Sequence, residues 1–296
     1  MDGKIYGLPY SVDTLVTFYN SDLLTAASVP EPMEDFHDLV EQIQNYNLSK
    51  ITTGNNIFQS GVAMGGTDNV PRFFDILSSI MLQNEVELKG SSFDPLANRT
   101  SAQHMAEAIG FYSDFANSTK AVFSWDDSLP DAFEMFTQGK LAYFFGYSYH
   151  ADELRKRGVQ FDWEMTNFPK TRGAEGTKYY SNYWVNVVPQ KSKNTDAAWN
   201  FIQSTASKNL VVNYLNDNNK PTALRTLISS QLEDDEIRVF ASQVLTADNW
   251  YQGYDIMAAE QYMAEFVDSV LDGSIQLDSD GLEFLVSRIY QTYQSQ

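Results

Sequence analysis

The first 24 residues constrain the fold of this chain more than any other stretch. They read Met1-Asp-Gly-Lys-Ile-Tyr-Gly-Leu-Pro-Tyr10-Ser-Val-Asp13, followed after Val16 by Thr-Phe18-Tyr-Asn-Ser-Asp-Leu-Leu24. An Asp2-Gly3 turn leads into a short apolar strand, Pro9 directs a loop, and a second strand covers 15–19. Two strands joined directly, with no apolar leader ahead of them, read as the interior of a domain. The expectation is a chain that starts mid-domain.

At 296 residues there is room for one large domain or two lobes with separate cores. Apolar residues make up 43% and charged residues 20%, an ordinary globular balance. Twenty basic against 39 acidic side chains give a formal charge of −19. No basic face for phosphate contacts can be assembled from that set, so a nucleic-acid partner is excluded. Cysteine is absent, which removes disulfides, thiolate metal sites and cysteine nucleophiles. No apolar run reaches 18 residues, the length a membrane-spanning helix needs, and the apolar patch at 141–147 has strand length. Aromatic content is the outlier: 17 Tyr, 19 Phe and 5 Trp make 14%. Tyr and Trp combine a flat apolar face with a polar edge, a surface suited to sugar rings.

Helical periodicity appears over 33–46, where Phe36, Leu39, Val40 and Ile43 fall on one stripe. A loop and strand fill 51–64, and Asn69-Val-Pro71 opens a buried helix running to 83. Further helices are expected over 100–116, 131–138 (stopped by Gly139) and 149–157, with strands at 141–145, 161–168 and 183–188. The C-terminal part reads as helices over 195–205, 208–216, 223–229, 234–245, 257–271 and 280–293. Helices alternating with short apolar strands imply an α/β architecture with internal sheets.

The opening stretch resembles the hinge region of the family 1 extracellular solute-binding proteins, the maltose-binding-like receptors of bacterial ABC importers. Four later segments resemble the same family in the same order. They are Phe136-Thr-Gln-Gly139-Lys-Leu-Ala142-Tyr143-Phe144, with Tyr143 where the family has Met, and Tyr183-Trp184-Val-Asn-Val-Val-Pro189. Asn194-Thr-Asp-Ala-Ala-Trp199-Asn-Phe201 and Asn219-Lys-Pro221-Thr-Ala223 complete the set, so the likeness runs from residue 2 to about 225.

The resemblance implies a type II periplasmic-binding-protein-like fold: two lobes of mixed sheets flanked by helices, joined by hinge crossings near 11–17, 181–186 and 222–227. Residues 1–10 and 187–221 would be the remnant of lobe one, and 18–180 with 228–296 would form lobe two. So small a remnant buries little, and folding is expected to need the upstream sequence.

Several residues are then expected at the interlobe cleft. Tyr10 and Asp13 stand at the first crossing, where a carboxylate can accept two sugar hydroxyls. Gly65-Gly66-Thr67-Asp68-Asn69 precedes a helix, which brings Thr67, Asn69 and Arg72 toward the cleft. By the resemblance, the loop after the central strand delivers Tyr147 or Tyr149, the hinge strand delivers Asn182 and Trp184, and a late aromatic loop delivers Trp250 or Tyr254. Trp199 is expected in the core.

Catalytic signals are absent. His37, His104 and His150 occur singly, and there is no HExxH, GxSxG, P-loop or dinucleotide fingerprint. Asp278-Ser-Asp-Gly281 reads as a helix cap in place of a calcium loop, and Glu233-Asp-Asp-Glu236 as an acidic first turn. The expectation is a non-enzymatic receptor without metal or cofactor. A mono- or oligosaccharide would be captured by hinge closure and passed to the membrane permease subunits of an ABC importer. The protein would be a monomer outside the cytoplasm, held to the membrane through an upstream lipid anchor. Three alternatives remain: the same fold binding a polyamine or cationic peptide, a carbohydrate-active hydrolase, and a sensor or adhesion module with no transporter.

Overall fold

A computed structural model describes residues 5–86, 99–173, 176–249, 251 and 253–294. The described chain begins with three short strands, β1 (Gly7–Pro9), β2 (Asp13–Thr14) and β3 (Val16–Asn20), and then α1 (Ser21–Ala27) and α2 (Phe36–Asn45). Next come β4 (Lys50–Ile51), β5 (Ile57–Val62), α3 (Phe73–Gln83), α4 (Arg99–Asp114), α5 (Ala132–Thr137), β6 (Leu141–Gly146), α6 (Ser148–Arg157) and β7 (Trp163–Asn167). The chain continues through β8 (Tyr179–Asn182), β9 (Val185–Val187), α7 (Thr195–Thr205), α8 (Lys208–Asp217), α9 (Arg225–Gln231) and α10 (Arg238–Gln243). It ends with β10 (Ala247–Asp248), α11 (Ile256–Leu271) and α12 (Ser279–Gln291).

The main sheet has the order β4-β5-β6-β3-β7, with β5 and β6 parallel and β3 antiparallel to both of its neighbours. β6 is buried along its whole length, as its run Leu141-Ala-Tyr-Phe-Phe-Gly146 requires of a strand covered on both faces. Phe18, Phe144 and Phe136 pack across that sheet, and Phe145 packs on Phe168. α5 stops where expected: Gly139 takes φ +70°, the left-handed conformation that closes a helix. Asn20 caps α1 by accepting the Leu23 N–H, and Asp35 and Asp38 form a capping box on α2. Asp278 caps α12 through the Gly281 N–H.

Two smaller ladders lie where the chain doubles back. β2 pairs β8, setting Asp13 opposite Asn182, and β10 completes that three-stranded sheet. β1 pairs β9 alone. Residues 221–223 run along 10–12: Val12 N–H donates to the Pro221 carbonyl, Ala223 N–H to the Tyr10 carbonyl, and Ser11 bridges Thr222. Segments 10–14, 181–182 and 221–223 thus lie side by side. A large apolar core fills the space around the main sheet, and a small separate cluster of Val211, Leu215 and Leu227 receives Tyr10, Val212 and Leu224. No described helix is long and apolar enough to cross a membrane.

Four expectations need correction. The strand read at 183–188 shortens to β9, and an unexpected strand, β8, precedes it, with Tyr183-Trp184 between them as the backbone changes partner from β2 to β1. α3 starts at Phe73, because the Asn69 side chain is used elsewhere and cannot cap it. The helix read over 234–245 contracts to α10 and a 3-10 turn, Val244–Thr246, so the acidic run precedes its first turn. Trp199 is only half-buried, and Phe201 on the same helix is 69% exposed.

Candidate ligand-binding site

β6 ends at Gly146, and the chain turns into α6 through Tyr147, Ser148 and Tyr149. The turn is tight, because a Cβ on Gly146 would lie 2.6 Å from Phe144 Cε1 and 2.7 Å from His150 Nδ1. That His150 nitrogen accepts the Tyr147 N–H at 3.0 Å, satisfying one free donor at the helix start. Burial pushes the His150 imidazole down to about 3, helped by the nearby Arg72 and Lys220 charges, so it is neutral at pH 7.

Tyr147 points inward and is fully buried. Its hydroxyl donates to Asp75 Oδ2 at 2.8 Å. Tyr149 faces outward, its ring 6.4 Å from that of Tyr147 and nearly parallel to it. Arg72, the residue before α3, reaches across both rings. Its guanidinium carbon lies 5.5 Å from the Tyr147 centroid and 5.8 Å from that of Tyr149. Nη2 donates to the Tyr149 hydroxyl at 2.8 Å, and Nη1 stands 3.7 Å from Asp75 Oδ2. Nε is buried and has no hydrogen-bond partner. Burial raises the Asp75 carboxyl to about 6 against the opposing pull of the Tyr147 hydroxyl and Arg72.

The other side of Tyr149 meets the crossing segments. Asp13 is buried, and its carboxylate accepts the Ser148 N–H at 3.3 Å, the Ser148 hydroxyl at 2.6 Å and the Thr14 N–H at 3.1 Å. Lys220 Nζ donates to Ser148 Oγ at 3.0 Å, lies 3.5 Å from Asp13 Oδ2, and stands 5.4 Å from the Tyr149 ring centroid. Burial raises the Asp13 carboxyl in spite of the Lys220 charge. One exposed aromatic is therefore flanked by two cations, each backed by a deeper carboxylate.

Of the residues expected from sequence, Asp13, Arg72, Tyr147 and Tyr149 come together here, and Asn182 joins them through its pairing with Asp13. Tyr147 offers no open aromatic surface, because it is wholly covered. Three others are engaged elsewhere. Tyr10 bonds Thr205 and packs edge-on against Tyr214, 5.7 Å away. The Thr67 hydroxyl donates to Asp268 at 2.8 Å. Asn69 donates to the Asp126 and Leu129 carbonyls and accepts from the Trp125 indole, which commits both ends of its amide. Trp184 is 90% exposed between β8 and β9, and Tyr254 is exposed ahead of α11 with its N–H on the Thr292 carbonyl. Trp250 lies outside the described residues.

Asp75, Ser148 and Lys220 were not expected from sequence. Asp75 carries the one local signal, an i,i+3 spacing from Arg72 on the start of a helix. Ser148 and Lys220 each sit inside a recognisable segment, but their partners are 135 and 72 residues away.

A family model described as "Bacterial extracellular solute-binding protein" matches residues 1–237. The galactooligosaccharide-binding protein of Bacillus subtilis (strain 168) is 23% identical over 211 residues, covering 67% of this chain and 44% of its own. The chain thus spans less than half the length of that relative. Among solved structures, a cyclo/maltodextrin-binding protein complexed with maltotetraose superimposes with a TM-score of 0.76 at 15% identity. It covers 100% of this chain and 72% of its own. An ABC substrate-binding protein of Listeria monocytogenes in complex with cycloalternan gives a TM-score of 0.71 at 17% identity, covering 99% and 72%. The fold is the periplasmic-binding-protein type expected from the opening residues, with mixed sheets flanked by helices. With its match over residues 1–237, this chain belongs to the bacterial extracellular solute-binding protein family.

Proposed function

We propose that this chain is the carbohydrate-capturing part of an extracytoplasmic receptor that delivers a mono- or oligosaccharide to the permease subunits of an ABC importer. One observation carries the reading: Asp13, Arg72, Tyr149 and Lys220 converge beside the segments where the chain doubles back. A face with one aromatic ring and several fixed polar groups is what a polyhydroxylated ring needs. The sugars named for the similar proteins, galactooligosaccharide, maltotetraose and cycloalternan, agree with that chemistry. In this reading segments 11–17, 181–186 and 222–227 are the hinge. Residues 1–10 with 187–221 move against 18–180 with 228–296 as the ligand is enclosed.

Asn182, Trp184, Tyr254 and Trp250 are proposed to complete the contact from the surrounding strands and loops, with Tyr10, Thr67 and Asn69 supporting it from behind. The receptor acts as a monomer, makes no covalent change in its ligand, and is held at the membrane by a lipid anchor. A polyamine ligand is disfavoured by Arg72 and Lys220, which would repel it at the site itself.

A thermal-shift screen with saccharides, polyamines and amino acids tests the proposal. A ligand at a hundred times its dissociation constant stabilises the folded form by about 2.7 kcal/mol. That corresponds to a rise of several degrees in melting temperature. The expected result is a shift with one saccharide class alone. A shift confined to polyamines or amino acids, or a chromogenic glycoside turned over by the protein, overturns the reading.

A further inference from the structure

Resting on the carbohydrate reading, we propose that the site selects an acidic sugar, whose carboxylate is taken by Arg72 with Lys220 beside it. The inference comes from a count of hydrogen-bond donors and acceptors around Tyr149. A guanidinium carries five N–H donors in a fixed fork. Arg72 gives one to the Tyr149 hydroxyl, its Nη1 stands 3.7 Å from Asp75, too far for a hydrogen bond, and its buried Nε has no partner at all. Lys220 gives one short bond to Ser148 and a long approach to Asp13.

The carboxylates behind them are already occupied. Asp13 accepts from Thr14, Ser148 and Lys220, and Asp75 accepts the Tyr147 hydroxyl. They also lie deeper than the cations: the side chains of Asp13 and Asp75 are 9% and 15% exposed, those of Lys220 and Arg72 are 23% and 35%. What faces outward is a surplus of donors. Every hydroxyl of a neutral sugar brings a proton along with its lone pairs, whereas a carboxylate brings acceptors only and matches the guanidinium fork in two bonds.

Two further groups define the ligand more closely. Asn249 Oδ1 is a buried acceptor without a partner, and its side chain bonds Tyr180, itself in the field of Asp75. It suits a hydroxyl donor. Glu260, half-buried on α11 and within the field of Arg72, is a further carboxylate that opposes an incoming anion. A sugar carrying one carboxylate among hydroxyls, a uronate, meets the donors of Arg72 and Lys220 with its acid group.

Isothermal titration of the full chain with paired trisaccharides tests this, using the neutral and uronate forms of galactose, glucose and mannose. One uronate should bind at least about tenfold tighter than every neutral trimer, and the advantage should shrink as salt is raised. Arg72→Gln should remove about tenfold or more from uronate binding and weaken neutral binding by a smaller factor, so that the uronate advantage shrinks. Glu260→Gln should tighten uronate binding, and a melt of each variant confirms that it is folded. A neutral trimer that binds as well as or better than all the uronates overturns the acidic preference and leaves the carbohydrate reading standing. Failure of all six sugars to bind, with no saccharide shifting the melt, overturns both.

Discussion

Asp75 is a carboxylate walled in behind a guanidinium, and burial outweighs both of its favourable partners. Its carboxyl titrates near 6, against 3.8 for an ordinary aspartate. Between those values the folded state holds a proton that the unfolded state releases, so stability falls as pH rises from about 4 to about 6. The full effect is on the order of 3 kcal/mol and is complete above the folded value. Asp75→Asn has no such slope. Urea unfolding of wild type and Asp75→Asn at pH 5.0 and 7.5 should therefore show wild type gaining about 1.4 kcal/mol on the variant at the lower pH. An equal gap at both pH values would mean that Asp75 titrates normally. Asp13, Arg72 and Tyr149 were expected at the candidate site from their places beside a chain crossing, a helix start and a strand end. Asp75, Ser148 and Lys220 were not, since what gives them meaning is a partner in another element. Asn69 misled in the opposite way: a short amide ahead of a helix suggests a cap or a ligand group, and only the position of Trp125 reveals a structural bridge.

At the scale of elements, periodicity was informative wherever one face alone is buried. Phe36, Leu39 and Ile43 are covered on α2 and Val40 is half-buried beside them, as the 3.6-residue stripe placed them. The β8–β9 break was illegible for the opposite reason: the chain from Tyr179 to Val188 runs on without Gly or Pro, and only the change of pairing partner at Tyr183-Trp184 divides it. The β6–α6 junction is a place where element geometry and site geometry coincide. With the Gly146 α-carbon pressed between Phe144 and His150, Gly146→Ala must move one of them. Overpacking of this kind costs about 1–3 kcal/mol. The His150 ring that accepts the Tyr147 N–H is one of the groups displaced, so the start of α6 should loosen as well. A drop in urea midpoint at unchanged m-value, with amides 147–150 losing hydrogen-exchange protection, is the expected outcome. An unchanged midpoint would show that the junction has slack.

Across the whole molecule, two apolar clusters of very different size are joined by segments 10–14, 181–182 and 221–223. The β1–β9 ladder and its flanks leave apolar side chains open: Ile5, Trp184 and Val187 are 72%, 90% and 54% exposed. Composition could not reveal that asymmetry, because it averages over both parts. The knot of Asp13, Ser148 and Lys220 has a kinetic consequence. Its contacts close loops of 135, 72 and 207 residues, so the search for them is among the longest the chain makes. We expect this knot to tie after the main sheet has formed and to come undone first. Removing the hydroxyl in Ser148→Ala costs about 1.5 kcal/mol or more as a hydrogen bond to charged partners. In stopped-flow chevrons that cost should fall almost wholly on the unfolding arm, about a tenfold acceleration, with the refolding arm unmoved. A slowed refolding arm would place the knot in the folding nucleus. If it forms late, the segments proposed to grip the ligand also set the lifetime of the folded state, and occupation of that site would lengthen the lifetime without making the chain fold any faster.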